Sequence, residues 1–159
     1  MVIKTKHIVI AGASLLIFLL MGTKKAFANI TLNQKIRGCD PFGCGSFGAP
    51  RGTRSHAGID VVATAGQKIL SPINGTVTRF PFPYSGDLNY TGIEIKNDSY
   101  RVKIFYLQPT VTAGTTVKQG QQIGIAQNIA SKYGTAMTNH VHIEVYNSKG
   151  ELIDPTNLF

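Results

Sequence analysis

Tryptophan is absent from the 159 residues, and cysteine occurs only twice. Two cysteines cannot build a disulfide-dense scaffold or a four-cysteine zinc site. Charge is also sparse: 15% of residues are charged against 43% hydrophobic, which excludes an intrinsically disordered chain. No uninterrupted apolar run reaches the roughly 18 residues of a spanning helix, so a multi-pass membrane protein is excluded. Past residue 28 no long segment keeps a 3.6-residue apolar period; Ile129 to Tyr133 offers a single helical turn at best. Acidic residues number 8 against 16 basic ones, a formal net charge of +8. Four of those cations, Lys4, Lys6, Lys24 and Lys25, lie in the first 28 residues, which hold no acid. Without that segment the net charge is +4, from 12 basic and 8 acidic residues, and nothing in it demands nucleic acid.

What is present begins with a leader. Lys4 and Lys6 form a positive n-region, Ile8 to Gly22 an apolar h-region, and Ala26-Phe27-Ala28 a small-x-small cleavage pattern. Residues 1–28 therefore predict a secretory signal peptide cut after Ala28; the alternative is a retained signal anchor. Either places the folded part outside the cytosol, with no membrane attachment once the leader is removed. In an oxidising compartment Cys39-Asp40-Pro41-Phe42-Gly43-Cys44 is a short loop that a disulfide can close, Pro41 and Gly43 supplying the turn; two unlinked thiols are the alternative.

Residues 29–55, rich in Gly, Pro and Ser, predict an irregular arm held by that loop. From His56 onward, short β-type runs alternate with turn signals: Ile59 to Val62, Lys68 to Leu70, Gly75 to Phe80, Gly92 to Lys96, Tyr100 to Tyr106, Thr116 to Val117, Gln122 to Ala126 and His140 to Tyr146. Asn97-Asp98 marks a hairpin turn. The fold class is all-β, one compact antiparallel domain over residues 56–159.

Three histidines remain beyond the leader: His56, His140 and His142. His56 stands four residues before Asp60. His140 and His142 alternate on one strand, so both rings leave the same face. Two imidazoles and a carboxylate are a usual three-ligand set for zinc, with the fourth position open. Taken singly, each motif also fits ordinary surface residues; together they use every histidine past the leader.

These residues resemble the two signatures of lysostaphin/LytM-type zinc peptidases, in His56-Ala57-Gly58-Ile59-Asp60 and His140-Val141-His142-Ile143-Glu144-Val145. Ala65-Gly66 with Ile69, Ser71-Pro72 and Gly75-Thr76-Val77, then Val117 to Gly124, then Asp154-Pro155-Thr156-Asn157-Leu158, match that family's connecting text in order. The resemblance implies zinc held by His56, Asp60 and His142, with His140 as a catalytic or orienting histidine. Gly38-Cys39-Asp40, Gly43-Cys44-Gly45 and Phe105-Tyr106 further resemble the leukocyte cell-derived chemotaxin-2 family, which implies a secreted binding or signalling protein. The partner implied is an extracellular protein receptor or, for a peptidase, the peptide or glycan of peptidoglycan.

One departure separates these two outcomes. The peptidases carry a further histidine on the strand matching residues 101–108, where this chain has none; Tyr106 is its replacement there. A phenol can donate a hydrogen bond to an oxyanion but is a poor base at neutral pH. Glu144 could orient an imidazole or lie solvated on the strand. Arg51 and Arg54 could attract an anionic partner at the site mouth or form an ordinary solvated arm.

Overall fold

The computed structural model describes residues 25–159. The n-region and h-region of the expected leader lie outside the described residues. Within them the chain is nearly all β, with one helical turn.

The expected irregular arm is more ordered than its composition suggests. It carries β1 (Cys39–Asp40) paired with β2 (Gly43–Cys44), and β3 (Pro50–Arg51) paired with β4 (Arg54–Ser55). A Cys39–Cys44 disulfide closes the first hairpin. Two-residue ladders are too short to show a period of two, which is why the sequence reads as irregular. An isolated bridge from Ile36 to Val61 fastens the arm to the domain.

The domain proper follows the expected runs closely and adds two short strands, at Leu107–Pro109 and Leu152–Ile153, that none of those runs covers. Its strands are β5 (Ile59–Val62), β6 (Lys68–Leu70), β7 (Gly75–Arg79), β8 (Gly92–Lys96), β9 (Tyr100–Phe105), β10 (Leu107–Pro109), β11 (Thr116–Val117), β12 (Gln122–Ala126), β13 (His140–Asn147) and β14 (Leu152–Ile153). The helical turn α1 spans Ala130–Tyr133. Seven strands form the main sheet in the order β11-β7-β8-β9-β13-β14, with β5 also pairing β13; β10-β12-β6 form a second, three-stranded sheet. Every pairing is antiparallel.

One apolar cluster draws on both sheets, including Ile69, Leu107 and Ile123 from the smaller and Ile95, Ile104, Val141 and Ile143 from the larger. Alternation puts these side chains inward, and burying each such aliphatic contributes about 1.5–3 kcal/mol. Phe27 belongs to the same cluster at 3% exposure. Its ring meets Tyr100 and Phe159 edge-on at 5.0 and 5.4 Å. Its amide donates to the Leu158 carbonyl at 2.8 Å. Cleavage after Ala28, as the small-x-small pattern predicts, would take this ring out of the core.

Strand β13 positions the site. On one edge His142 lies opposite Asp60 of β5, and on the other opposite Phe105 of β9. Gly58 permits the approach of β5: a Cβ there would collide with the Ile143 carbonyl.

Candidate metal centre

Cross-strand register brings Asp60 and His142 together, and the four-residue reach from His56 to Asp60 completes a triangle. His56 Nε2 lies 3.1 Å from Asp60 Oδ1 and 2.9 Å from His142 Nδ1; His142 Nδ1 lies 2.9 Å from Asp60 Oδ1. His56 Nδ1 is 2.7 Å from the Ser46 carbonyl, which can only accept, so Nδ1 carries the proton and Nε2 presents a lone pair. Three donor atoms so close, two of them imidazole nitrogens facing each other, fit one small cation at about 2.0–2.2 Å from each. Zinc suits this nitrogen and oxygen set.

The other oxygen of Asp60 faces away from the histidines. Arg37 Nη2 donates to Oδ2 at 2.8 Å and Arg37 Nε at 3.2 Å, while Arg51 Nη2 stands 3.4 Å away. Burial alone would raise the Asp60 carboxyl, yet a hydrogen bond from His142 and the closeness of His56 and His140 hold it far below the usual range. Arg37 itself is buried, and its Nη1 also reaches Asp40 Oδ2 and donates to the Gly43 carbonyl at 2.9 Å.

Glu144 is not an isolated solvated carboxylate. Its Oε1 lies 3.6 Å from His142 Nε2, and its Oε2 accepts from Tyr146 at 2.7 Å and Lys103 at 3.2 Å. Burial opposes its ionisation, but His142, Tyr146 and Lys103 together bring it down to about 2. The carboxylate thus stands behind the ring nitrogen of His142 opposite the triad, beyond hydrogen-bond length, and acts on the ring by its charge.

His140 sits beside the triangle, its Nε2 3.7 Å from Asp60 Oδ1. Its Nδ1 lies 2.6 Å from the Thr138 carbonyl, so Nδ1 holds the proton and Nε2 is free to accept one. Burial lowers its pKa, outweighing the attraction of Asp60.

Tyr106 occupies the cavity wall next to His140, the two rings edge to face at 5.5 Å. It is the one non-glycine residue with positive φ among the described residues, at 65°. That conformation costs an ordinary side chain about 1–2 kcal/mol and is held by backbone bonds on both sides, to Thr91 and from Gln127. Tyr84, in the loop after β7, donates to the Tyr106 oxygen at 3.2 Å and lies 3.0 Å from the Tyr133 hydroxyl. Arg37, Tyr84 and Tyr133 escape a reading of the sequence. The only local signal for Arg37 is an acid three residues on, at the lip of a cysteine loop.

A model of peptidase family M23 matches residues 54–155. Leukocyte cell-derived chemotaxin-2 of Mus musculus is 30% identical over 149 residues, covering 93% of this chain and 95% of that protein. A zinc containing peptidase from Vibrio cholerae superposes with a TM-score of 0.50 at 26% identity, covering 82% of this chain and 36% of that one. The catalytic domain of the antimicrobial peptidase lysostaphin from Staphylococcus simulans gives a TM-score of 0.54 at 22% identity, over 71% of this chain and 86% of that one, a likeness of fold. The family match spans all three corners of the triangle, and the chemotaxin-2 alignment runs nearly end to end: the chain belongs to peptidase family M23.

Proposed function

We propose that this protein is a secreted, zinc-binding module on the M23 fold that acts by binding, as a chemotaxin-2-like signalling protein for an extracellular receptor, with weak or no proteolysis. His56 Nε2, Asp60 Oδ1 and His142 Nδ1 would hold the zinc, which when bound supplies Lewis acidity. Secretion is supported by the leader pattern and the Cys39–Cys44 disulfide. Among the described residues no helix is long and apolar enough to cross a membrane.

Tyr106 carries the reading. Hydrolysis needs a positioned base and a donor aimed at developing negative charge. His140 can serve as the base, since its Nε2 is unprotonated. The remaining position falls to a phenol whose pKa burial pushes upward, so it can donate but cannot exchange its proton near neutral pH. Losing one well-matched donor costs about 10²–10³ in rate, so hydrolysis should reach at most about 10⁻² of a homologue with the extra histidine.

The free Nε2 of His140 favours a second reading, a zinc endopeptidase cleaving peptide cross-links of peptidoglycan. Turnover of purified peptidoglycan and of an oligoglycine peptide, with and without chelator, separates the two. Negligible release is expected, with a rise on Tyr106→His; robust chelator-sensitive cleavage by the unaltered protein would establish the second reading.

A further inference from the structure

The cavity that holds the triad, about 450 Å³, also presents donors with no acceptor among the described residues. Its two carboxylates are engaged: Asp60 between histidines and arginines, Glu144 with Lys103 and Tyr146. Its donors are not. Because Tyr84 gives its proton to the Tyr106 oxygen, the proton of Tyr106 is left for the cavity. Tyr84 can in turn accept from Tyr133, 3.0 Å away. Three phenols then donate in one direction, each strengthening the next. The backbone bonds that fix Tyr106 at positive φ keep this donor in place. Arg54 also lines the cavity and forms no ion pair among the described residues.

Charge points the same way. Arg37, Arg51 and Arg54 line the cavity against Asp60 and Glu144, an excess of one positive charge before any metal is added. The mouth is aromatic: Phe42, Phe82 and Tyr133 line it at 37%, 47% and 39% exposure, three of the seven large exposed apolar side chains of the described residues. Exposed apolar groups gathered at one cleft mark a binding surface.

We propose that this cavity is a receptor site for a peptide carboxylate. The carboxylate accepts the hydrogen bond of Tyr106 and pairs with Arg54, and an aromatic side chain next to it packs on Phe42, Phe82 and Tyr133. Tyr84 is a positioning residue, acting through Tyr106. The inference rests on the binding reading above and names the ligand class for it.

The test measures binding of N-acetyl-glycyl-phenylalanine and of its amide to the full zinc-loaded protein by calorimetry, with zinc content determined on each sample. The acid should bind at least about tenfold tighter than the amide, the scale of one hydrogen bond to a charged group. Tyr106→Phe, which removes one oxygen and keeps the ring, should erase most of that preference. Arg54→Gln should weaken the acid and flatten its salt dependence. Tyr84→Phe should reduce the acid several-fold while leaving the amide unchanged, a split that a loss of structure would not give. Equal binding of acid and amide, or no binding of the acid up to about 10 mM, overturns the proposal. So does an acid preference that survives both Tyr106→Phe and Arg54→Gln, which would mean zinc alone holds the carboxylate. Protein that carries no zinc yet prefers the acid would refute the metal assignment and support this one.

Discussion

Arg37 grips only one of the two oxygens of Asp60. Oδ2 accepts from Arg37 at 2.8 and 3.2 Å, so Oδ1 alone is turned toward the three histidines. Two N–H groups of one planar guanidinium converge on that single oxygen, a grip that a single ammonium does not reproduce. Replacing such outer partners typically costs about 10–100-fold in metal affinity. Arg37→Lys should therefore weaken zinc about tenfold and Arg37→Ala more, read by competition with a chromogenic chelator. The alanine variant should also melt lower when metal-free, because removing one partner of a buried pair costs about 3–5 kcal/mol. Unchanged zinc affinity in a folded Arg37→Lys protein would remove the arginine from the site.

The triad itself makes a sharper distinction between the two strand histidines. His142 Nδ1 is a corner of the triangle, whereas His140 Nε2 stands 3.7 Å off. Gently purified protein should carry about one zinc per chain. His142→Ala should lose it and His140→Ala should largely keep it, by metal analysis. Under about a tenth of an equivalent in the unaltered protein would count against the site.

Phe27 gives a prediction at the other end of the molecule. Its ring is 3% exposed between Tyr100 and Phe159. Phe27→Ala should cost about 3–5 kcal/mol in denaturant unfolding. A chain starting at Asn29 should melt below one starting at Ala26, and sequencing of the secreted protein should place its first residue at or before Phe27. A secreted form that starts at Asn29 and is as stable as the longer chain would show the ring to be dispensable.

Glu94 sets an acid limit on stability. Burial would raise its pKa, but hydrogen bonds from Arg79 at 2.9 Å and Thr78 at 2.7 Å hold it below the ordinary 4.5. A carboxyl depressed in the folded state adds stability above its unfolded value, and that contribution fades as pH drops below about 4.5. The melting temperature of the unaltered protein should thus fall more steeply from about pH 5 to 3 than that of Glu94→Gln. Parallel curves would show that the pair adds nothing.

What the sequence discloses and what it conceals divide along physical lines. His140-Val141-His142 is legible because a strand turns alternate residues to one side, and the main strands appear wherever apolar and polar residues alternate over four or more positions. The meeting of His142 with Asp60, 82 residues away, is a matter of register between β5 and β13, which the resemblance supplied and periodicity could not. The arm hides its hairpins because each strand has two residues. Phe27 reads as the centre of a cleavage pattern because small neighbours are all that pattern requires, and burial leaves no mark on a single aromatic. Tyr84 and Tyr133 are 49 residues apart on a loop and a helical turn, with nothing local to join them.

The disulfide hairpin and the metal triad share their arginines: Arg37 also donates to the Gly43 carbonyl and Arg51 to the Cys44 carbonyl at 2.6 Å. The consequence is one of order in time. Without the disulfide those carbonyls would be held less firmly, and with them the two arginines beside Asp60. If the triad holds zinc as proposed, its hold on the metal would tighten once the disulfide has formed.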